Sequence, residues 1–301
     1  MSSKNKFILG TRGSPLALVQ ARQVQTLLQT KFPRVLCEIQ MIQTSGDRFL
    51  GNRLADAGGK GLFVKEIEEA MAIGVVDFAV HSLKDVPGIL PKEFKLAAFL
   101  KREDPRDVFV SRRGLPWKEL PAGSRIGTSS PRREVQLRNL RPDWEILPIR
   151  GNVDTRLRKV EEGVFDATVL AAAGLQRLGL NESLKNYFTV NELLPAVGQG
   201  IVAVEVRADA ETLAGLLKQS CEDEETADCA KAERAFLAAM GGDCTTPLAG
   251  HATLRGDQLT LKGWFALPDG SKIWEDQISG ARRDAEHLGG TLAKRILSCT
   301  S

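Results

Sequence analysis

The stretch KFILGTRGSPLALVQA, Lys6–Ala21, sets a pattern that returns later in the chain. The apolar run KFILG predicts a short strand. Ser14 then predicts a helix N-cap, Pro15 suits the first helical position, and Ala17, Ala21, Val24 and Leu28 recur at helical spacing. Arg12 is expected in the strand-to-helix loop, beside a helix N-terminus whose unpaired N–H groups and partial positive charge favour an anion. Far along the chain, SRIGTSSPRREVQLRNL, Ser124–Leu140, repeats the order: a strand, Gly127-Thr128, then Ser130-Pro131 opening a helix. Few positions match, yet the physical content is shared: two α/β lobes, each aiming a helix N-terminus and nearby arginine at something negative.

Working outward, strands are expected over 35–44, 75–80, 145–149 and 167–170, and helices over 62–73 and 153–162, the latter stopping near Gly163. Alternation of this kind implies a mostly parallel sheet. The charged segment KREDPRD, 101–107, broken by Pro105, reads as a crossing between lobes. GIVAVEVRAD, from Gly200, reads as a strand returning to the first lobe. CEDEETADCAKAERAFLAAM, 221–240, reads as one helix. Short strands turning at 255–257 and 268–270, then a helix near 283–297, make a small α+β domain. The expected division is 1–100 with 200–218, 101–199, and 219–301.

Bulk properties narrow the function classes. A chain of 301 residues with 43% hydrophobic content supports two or three domains. Acidic and basic residues are mixed to a net charge of +3, which argues against a dedicated nucleic-acid binder. Five cysteines, Cys37, Cys221, Cys229, Cys244 and Cys299, form no CxxC pair, as in reduced cytosolic proteins. Three histidines far apart argue against a metal site. The N-terminus carries no signal-peptide core, and no membrane span is expected.

Four features carry candidate chemistry. Arg12, Arg132, Arg133, Arg150, Arg156 and Arg158 fall near strand ends, where such sheets bind ligands, and guanidinium groups grip carboxylates with paired hydrogen bonds. Gly58–Gly61, GGKG, lacks the spacing of a phosphate loop and reads as a mobile lid carrying Lys60. AVHSLKDVPG, Ala79–Gly88, places His81, Ser82, Lys84 and Asp85 at a strand end. Asp85, kept ionised by neighbouring cations, would steady a cation developing on a substrate. Cys244 lies in the small-residue loop MGGDCTTPLAG, suited to a sulfur that carries something.

Nine stretches in order, TRGSPLALVQA, GGKGLFVKEIE, AVHSLKDVP, REDPRD, GTSSPRR, RGNVDTRL, AAAGLQRLG, LPAVGQG and the cysteine loop, resemble the porphobilinogen deaminase (hydroxymethylbilane synthase) family across nearly the whole chain. The resemblance implies two lobes like those of periplasmic binding proteins, with mixed, mostly parallel sheets, and a third domain bearing the cysteine. It implies a dipyrromethane cofactor tied to Cys244 by a thioether. It further implies head-to-tail condensation of four porphobilinogen molecules with loss of ammonia, then hydrolytic release of hydroxymethylbilane. Asp85 matches the family's catalytic aspartate. Ser82, Lys84, Thr128, Ser129, Ser130, Arg132, Arg133, Asn152, Arg156 and Gly174 match cofactor contacts. Arg12, Ser14, Gln20, Arg150, Lys60 and Phe63 match contacts to incoming substrate. A cytoplasmic monomer that hands product to uroporphyrinogen-III synthase is the corresponding expectation, with no metal, membrane or nucleic-acid partner.

Two positions depart from many relatives: Asp56 in the lid, where some have lysine, and Asp243 before the cysteine, where many have glycine. An anion beside a thiol raises its pKa, so cofactor assembly would be slowed. The competing expectation is a non-catalytic two-lobe binding protein for a polycarboxylate or oxyanion. Cys244, Asp85 and the lack of a signal peptide favour the enzyme.

Overall fold

The computed structural model describes residues 5–48, 64–242 and 246–300. A first sheet contains β1 (Lys6–Arg12), β2 (Leu36–Ile42), β3 (Phe78–Ser82), β4 (Phe94–Phe99) and β10 (Val202–Arg207), in the order β2-β1-β3-β10-β4. A second contains β5 (Asp107–Ser111), β6 (Arg125–Gly127), β7 (Glu145–Leu147), β8 (Ala167–Ala171) and β9 (Asn186–Tyr187), in the order β7-β6-β8-β5-β9. In each sheet one strand, β10 or β5, runs against the other four. The sheets are therefore mixed and mostly parallel, and β10 returns from the second lobe to complete the first. The third sheet is an antiparallel meander of β11 (Leu248–Arg255), β12 (Gln258–Ala266) and β13 (Ile273–Ala281).

The repeated sequence pattern folds as a repeated unit. Helix α1 (Pro15–Lys31) is capped by Ser14, whose Oγ accepts from the Ala17 N–H at 3.3 Å. Its counterpart α4 (Pro131–Leu140) is capped by Ser130, which accepts from the Arg133 N–H at 3.4 Å. Both units need glycine before the threonine. A Cβ on Gly10 would lie 3.0 Å from Val76, and one on Gly127 2.9 Å from Ile149. Leu9, Val24, Leu28 and Phe78 close the first core, and Phe109, Ile126, Leu137 and Trp144 the second. Burying each such side chain contributes about 1.5–3 kcal/mol.

The other helices are α2 (Ser45–Arg48), α3 (Lys65–Ala72), α5 (Val153–Glu161), α6 (Ala172–Arg177), α7 (Glu211–Cys221), α8 (Glu224–Ala239) and α9 (Ala285–Ser298). Several boundaries differ from the sequence reading. Arg12 is the last residue of β1 rather than a loop residue. The strand expected over 75–80 starts at Phe78, because Gly74 turns the chain at φ +75° and Val75 is exposed, and it continues through His81 and Ser82. The helix expected over 221–240 is preceded by a separate helix: α7 ends at Cys221, and Asp223 caps α8 by accepting from the Thr226 N–H at 2.9 Å. Helix α7 packs Leu213, Leu217 and Cys221 into the first sheet's core. Strands β4, β5 and β9 are additions. Among the described residues no helix is long and apolar enough to cross a membrane.

Candidate active site

Two groups of side chains face each other from the lobes. In the first lobe β3 ends at Ser82 and passes into a 3-10 turn, Leu83–Asp85. Leu83 is buried and its N–H donates to the Ile201 carbonyl at 3.0 Å, so the turn is anchored by its apolar residue. Lys84 and Asp85, half-buried, flank that anchor. A pocket beside the turn is lined by Arg12, Ser14, Gln20, His81, Ser82 and Asp85. Gln20, buried on α1, donates from Nε2 to Ser82 Oγ at 2.8 Å and ties the helix to the strand end. Four positions matched to substrate or cofactor by sequence thus meet the aspartate in one pocket.

In the second lobe the loop before α4 folds on itself. Thr128 Oγ1 accepts from the Ser130 N–H at 3.2 Å, and Ser129 Oγ donates to the Ile149 carbonyl at 2.8 Å. Arg132 and Arg133 open α4 and are both buried. They converge on Asp107, which is fully buried: Arg132 Nη2 donates at 2.8 Å and Arg133 Nη2 at 2.6 Å. Gln199 Nε2 adds a third donor at 2.9 Å. Burial alone would raise the Asp107 carboxyl, but the two guanidinium charges and their hydrogen bonds override it and hold it well below the usual carboxylate range. Arg132 Nη1 and Arg133 Nη1 donate to the carbonyls of Leu194 and Val169, at 2.7 and 2.9 Å. Asp107 and Gln199 did not emerge from the sequence, where the aspartate closing REDPRD read as part of a charged crossing between lobes.

The remaining matched positions play varied local parts. Asn152, exposed, caps α5 by accepting from the Thr155 N–H at 3.0 Å. Arg156, on α5, donates from Nε to the Gly151 carbonyl at 2.8 Å. Gly174, on α6, lies against α1 of the other lobe, where an added Cβ would stand 3.6 Å from Leu16. Cys244, Lys60, Phe63, Asp56 and Asp243 lie outside the described residues.

The electrostatics of the cleft are one-sided. Desolvation and the charge of Arg133 push the Lys84 ammonium down to about 8, against the opposing pull of Asp85 and Asp107. Desolvation, Arg133 and Arg150 likewise bring Arg156 to about 10, with Asp85 opposing. Among the described residues Lys84, Arg132, Arg133, Arg150 and Arg156 gather near Asp85 and Asp107, and Asp107 is spent on the arginine pair. Arg133 Nε is buried without a hydrogen-bond partner. An orphaned guanidinium nitrogen and a cation excess fit a bound polycarboxylate, and a dipyrromethane with its acetate and propionate arms is of that chemistry.

The third domain is tied to the cleft by another buried hub. Glu233 of α8, with no exposed surface, accepts from Arg102 Nη2 at 2.8 Å, from the Gly198 N–H at 2.6 Å and from the Ala252 N–H at 2.7 Å. Burial, opposed by Glu233 and aided by Arg102, lowers the adjacent His251 to about 4.

This fold and cleft define a two-lobed α/β protein built to hold a polyanion around one retained carboxylate, with a third domain latched to its crossing segments. The family model for "Porphobilinogen deaminase, dipyromethane cofactor binding domain" matches residues 7–215, and that for the C-terminal domain of the same family matches residues 227–298. The chain belongs to the porphobilinogen deaminase family. It is 49% identical over 290 residues to a porphobilinogen deaminase of Syntrophus aciditrophicus, covering 96% of this chain and 94% of the relative. It is 48% identical to one of Chromobacterium violaceum, covering 97% and 94%. Among solved structures it resembles the methionine-binding protein MetQ, at a TM-score of 0.44 and 13% identity over 75% of this chain and 94% of that one.

Proposed function

We propose that this chain is a hydroxymethylbilane synthase. In this reading it condenses four porphobilinogen molecules head-to-tail with loss of ammonia, and releases hydroxymethylbilane by hydrolysis. The observation that carries the reading is the pocket in which Asp85 stands with Arg12, Ser14 and Gln20, facing a cation-rich second lobe. The dipyrromethane, held by a thioether to Cys244, supplies the primer on which the chain grows. Lys84, Arg132, Arg133 and Arg156 hold its carboxylates, with Ser82, Thr128, Ser129, Ser130, Asn152 and Gly174 shaping the surface against it. Each charge-assisted hydrogen bond contributes about 1.5–3 kcal/mol. Arg12, Ser14, Gln20 and Arg150, with Lys60 and Phe63 from the lid, orient incoming porphobilinogen.

Asp85 accepts hydrogen bonds from pyrrole N–H groups and steadies the positive charge that develops on the substrate as ammonia departs. Its position requires the Leu83 anchor, because a misplacement of ~1 Å costs roughly a hundredfold in rate. The division into 1–100 with 200–218, 101–199 and 219–301 belongs to the same reading, as do a monomeric cytoplasmic enzyme and transfer of product to uroporphyrinogen-III synthase. Family membership favours this reading over a two-lobe binding protein.

Intact mass under denaturing conditions, followed by peptide mapping, tests it. An excess equal to two deaminated porphobilinogen units on the Cys244 peptide, and its loss in Cys244→Ser, is the expected result. Asp85→Ala should retain that mass and lose turnover; normal turnover in this variant removes Asp85 from the assigned role.

A further inference from the structure

His81 lines the pocket that contains Asp85, yet nothing above uses it. His81 is 5% exposed, and its Nε2 lies 2.9 Å from Oε2 of Glu205, which has no exposed surface. The contact follows from sheet register. On β3 and β10, Ala203 pairs with His81 and Glu205 with Ala79, so His81 and Glu205 are diagonal neighbours on one face. An ionised carboxylate only accepts, so this contact puts a hydrogen on Nε2, and the tautomer it selects is the one whose lone pair is on Nδ1. That nitrogen makes no hydrogen bond to the described residues, and His81 is among the residues lining the pocket beside Asp85. Glu205 leads onward: its Oε1 is buried without a donor. Burial and the Glu205 charge push the half-buried Glu68 on α3 up to about 7, so that a protonated Glu68 can serve as the donor that Oε1 lacks.

We propose that His81 is the proton acceptor of the condensation, with Glu205 as the positioning residue that fixes its tautomer and Glu68 as the next carrier toward solvent. The inference rests on the synthase reading. Each addition joins a CH2–NH3+ group to an aromatic C–H. One C–N and one C–H bond break, and one C–C bond forms. The C–H electron pair restores the aromatic ring. The proton passes to Nδ1, and the protonated ring then gives up a proton either to the departed ammonia, giving ammonium, or from Nε2 by way of Glu205 and Glu68 to water, giving hydronium. Asp85, which faces the developing positive charge, is thereby spared the proton. The charged groups around this line are Arg12 at the end of β1, Asp85 on the turn, Glu205 on β10, Glu68 on α3 with Glu69 and Glu93 near it, and Arg234 on α8.

The first test needs no turnover. In Cys244→Ser protein, 15N spectra of labelled histidine, assigned by the signal lost in His81→Gln, report the tautomer. Hydrogen on Nε2 with unprotonated Nδ1 at pH 7–8 is expected; hydrogen on Nδ1, or a doubly protonated ring through that range, overturns the proposal. Glu205→Gln, which can donate to Nε2, should raise the share of the other tautomer if the pairing sets it, and an unchanged share counts against Glu205's part. The second test follows rapid-mix elongation of cofactor-loaded protein. In His81→Gln the amide still donates to Glu205 but offers no titrating nitrogen. The expected result is a kcat about 100-fold lower, KM within about threefold, and loss of the acidic limb of the pH profile. A kcat within threefold of wild type with an unchanged profile overturns it. Wild-type turnover in parallel separates the readings: an inactive wild type refutes the synthase, and the tautomer spectra still decide whether His81 presents an acceptor.

Discussion

Replacing Asp107 by asparagine isolates what holds the arginine pair in place. Its carboxylate accepts from Arg132, Arg133 and Gln199 at 2.6–2.9 Å with no exposed surface, while the two arginines are 4% and 6% exposed. Removing the charge leaves two buried guanidinium groups to repel each other, with only neutral acceptors for relief: the Leu194 and Val169 carbonyls, Gln199 Oε1 and the new amide oxygen. Breaking a buried ion pair on one side costs about 3–5 kcal/mol. At roughly 2–4 °C per kcal/mol for chains of this order of size, Tm should fall by about 6–20 °C. The assay is thermal unfolding by circular dichroism of Asp107→Asn in a Cys244→Ser background, beside that background alone. Cofactor-loaded Asp107→Asn should lose less, because the ligand's carboxylates supply part of the missing charge. The pH dependence follows from the depressed carboxyl. Its stabilisation is complete above the unfolded value of about 3.9 and is lost as pH falls toward its own lower value. The difference between the two proteins should therefore hold from about pH 5 upward and narrow only below about pH 4. A variant melting within about 2 °C of its background, a shift worth at most about 1 kcal/mol, would refute the claim that Asp107 carries the pair.

Lys84 gives two trends of opposite sign. Its ammonium is lowered from 10.5 to about 8, so the unfolded chain binds the extra proton between those values and apo-protein stability should rise with pH there. Over the same range a neutral amine no longer pairs with a carboxylate, so the rate of cofactor loading from porphobilinogen, followed by intact mass, should fall; Lys84→Met should flatten both trends. Gly198→Ala forces a side chain onto φ +73° with its Cβ 2.6 Å from Leu83. It should cost about 1–3 kcal/mol in denaturant unfolding, and kcat should fall further than stability explains, since Leu83 anchors the turn bearing Asp85; unchanged kcat in folded protein would separate the anchor from the chemistry. Gln20→Ala, which removes the 2.8 Å tie to Ser82, should raise KM for porphobilinogen severalfold, and an unchanged KM would place the tie outside the substrate's reach.

What could be read from sequence was what local chemistry writes locally. Ser14-Pro15 and Ser130-Pro131 announced their helices, since capping and the proline ring act within one turn. The return of β10 was expected by analogy with two-lobed α/β proteins, and GIVAVEVRAD does form the strand buried between β3 and β4, with Glu205 the one charge enclosed in it. The start of β3 was misread because Val75 looks like strand and is turn surface, its neighbour Gly74 taking the positive φ that ends the preceding segment. Asp107 was hidden for another reason. Its partners Arg132, Arg133 and Gln199 lie 25, 26 and 92 residues away. No spacing rule connects them, and a buried carboxylate reads the same as a solvated one. Glu205 was hidden likewise: only the β3–β10 register, set by a strand from the far side of the second lobe, brings it to His81.

The segment LPAVGQG links these distant partners. Leu194 accepts from Arg132, Gln199 reaches Asp107, Gly198 donates to Glu233 of the third domain, and Ile201 receives the N–H of Leu83. The turn that carries Asp85, the anchored arginines and the third domain's long helix are thus bonded to eight consecutive residues. Their spacing near this segment is set by short covalent links and buried hydrogen bonds, so lobe motion there would break several of them together. A chain that grows from two rings to six needs room, and α6 is bonded to the same segment, Arg177 Nη2 donating to the Gly200 carbonyl at 2.8 Å. Arg177 also pairs with Glu103 at 3.1 Å, so parting α6 from α1 pulls on a partly buried ion pair as well, and room for the growing chain has to come from motion that leaves these bonds intact.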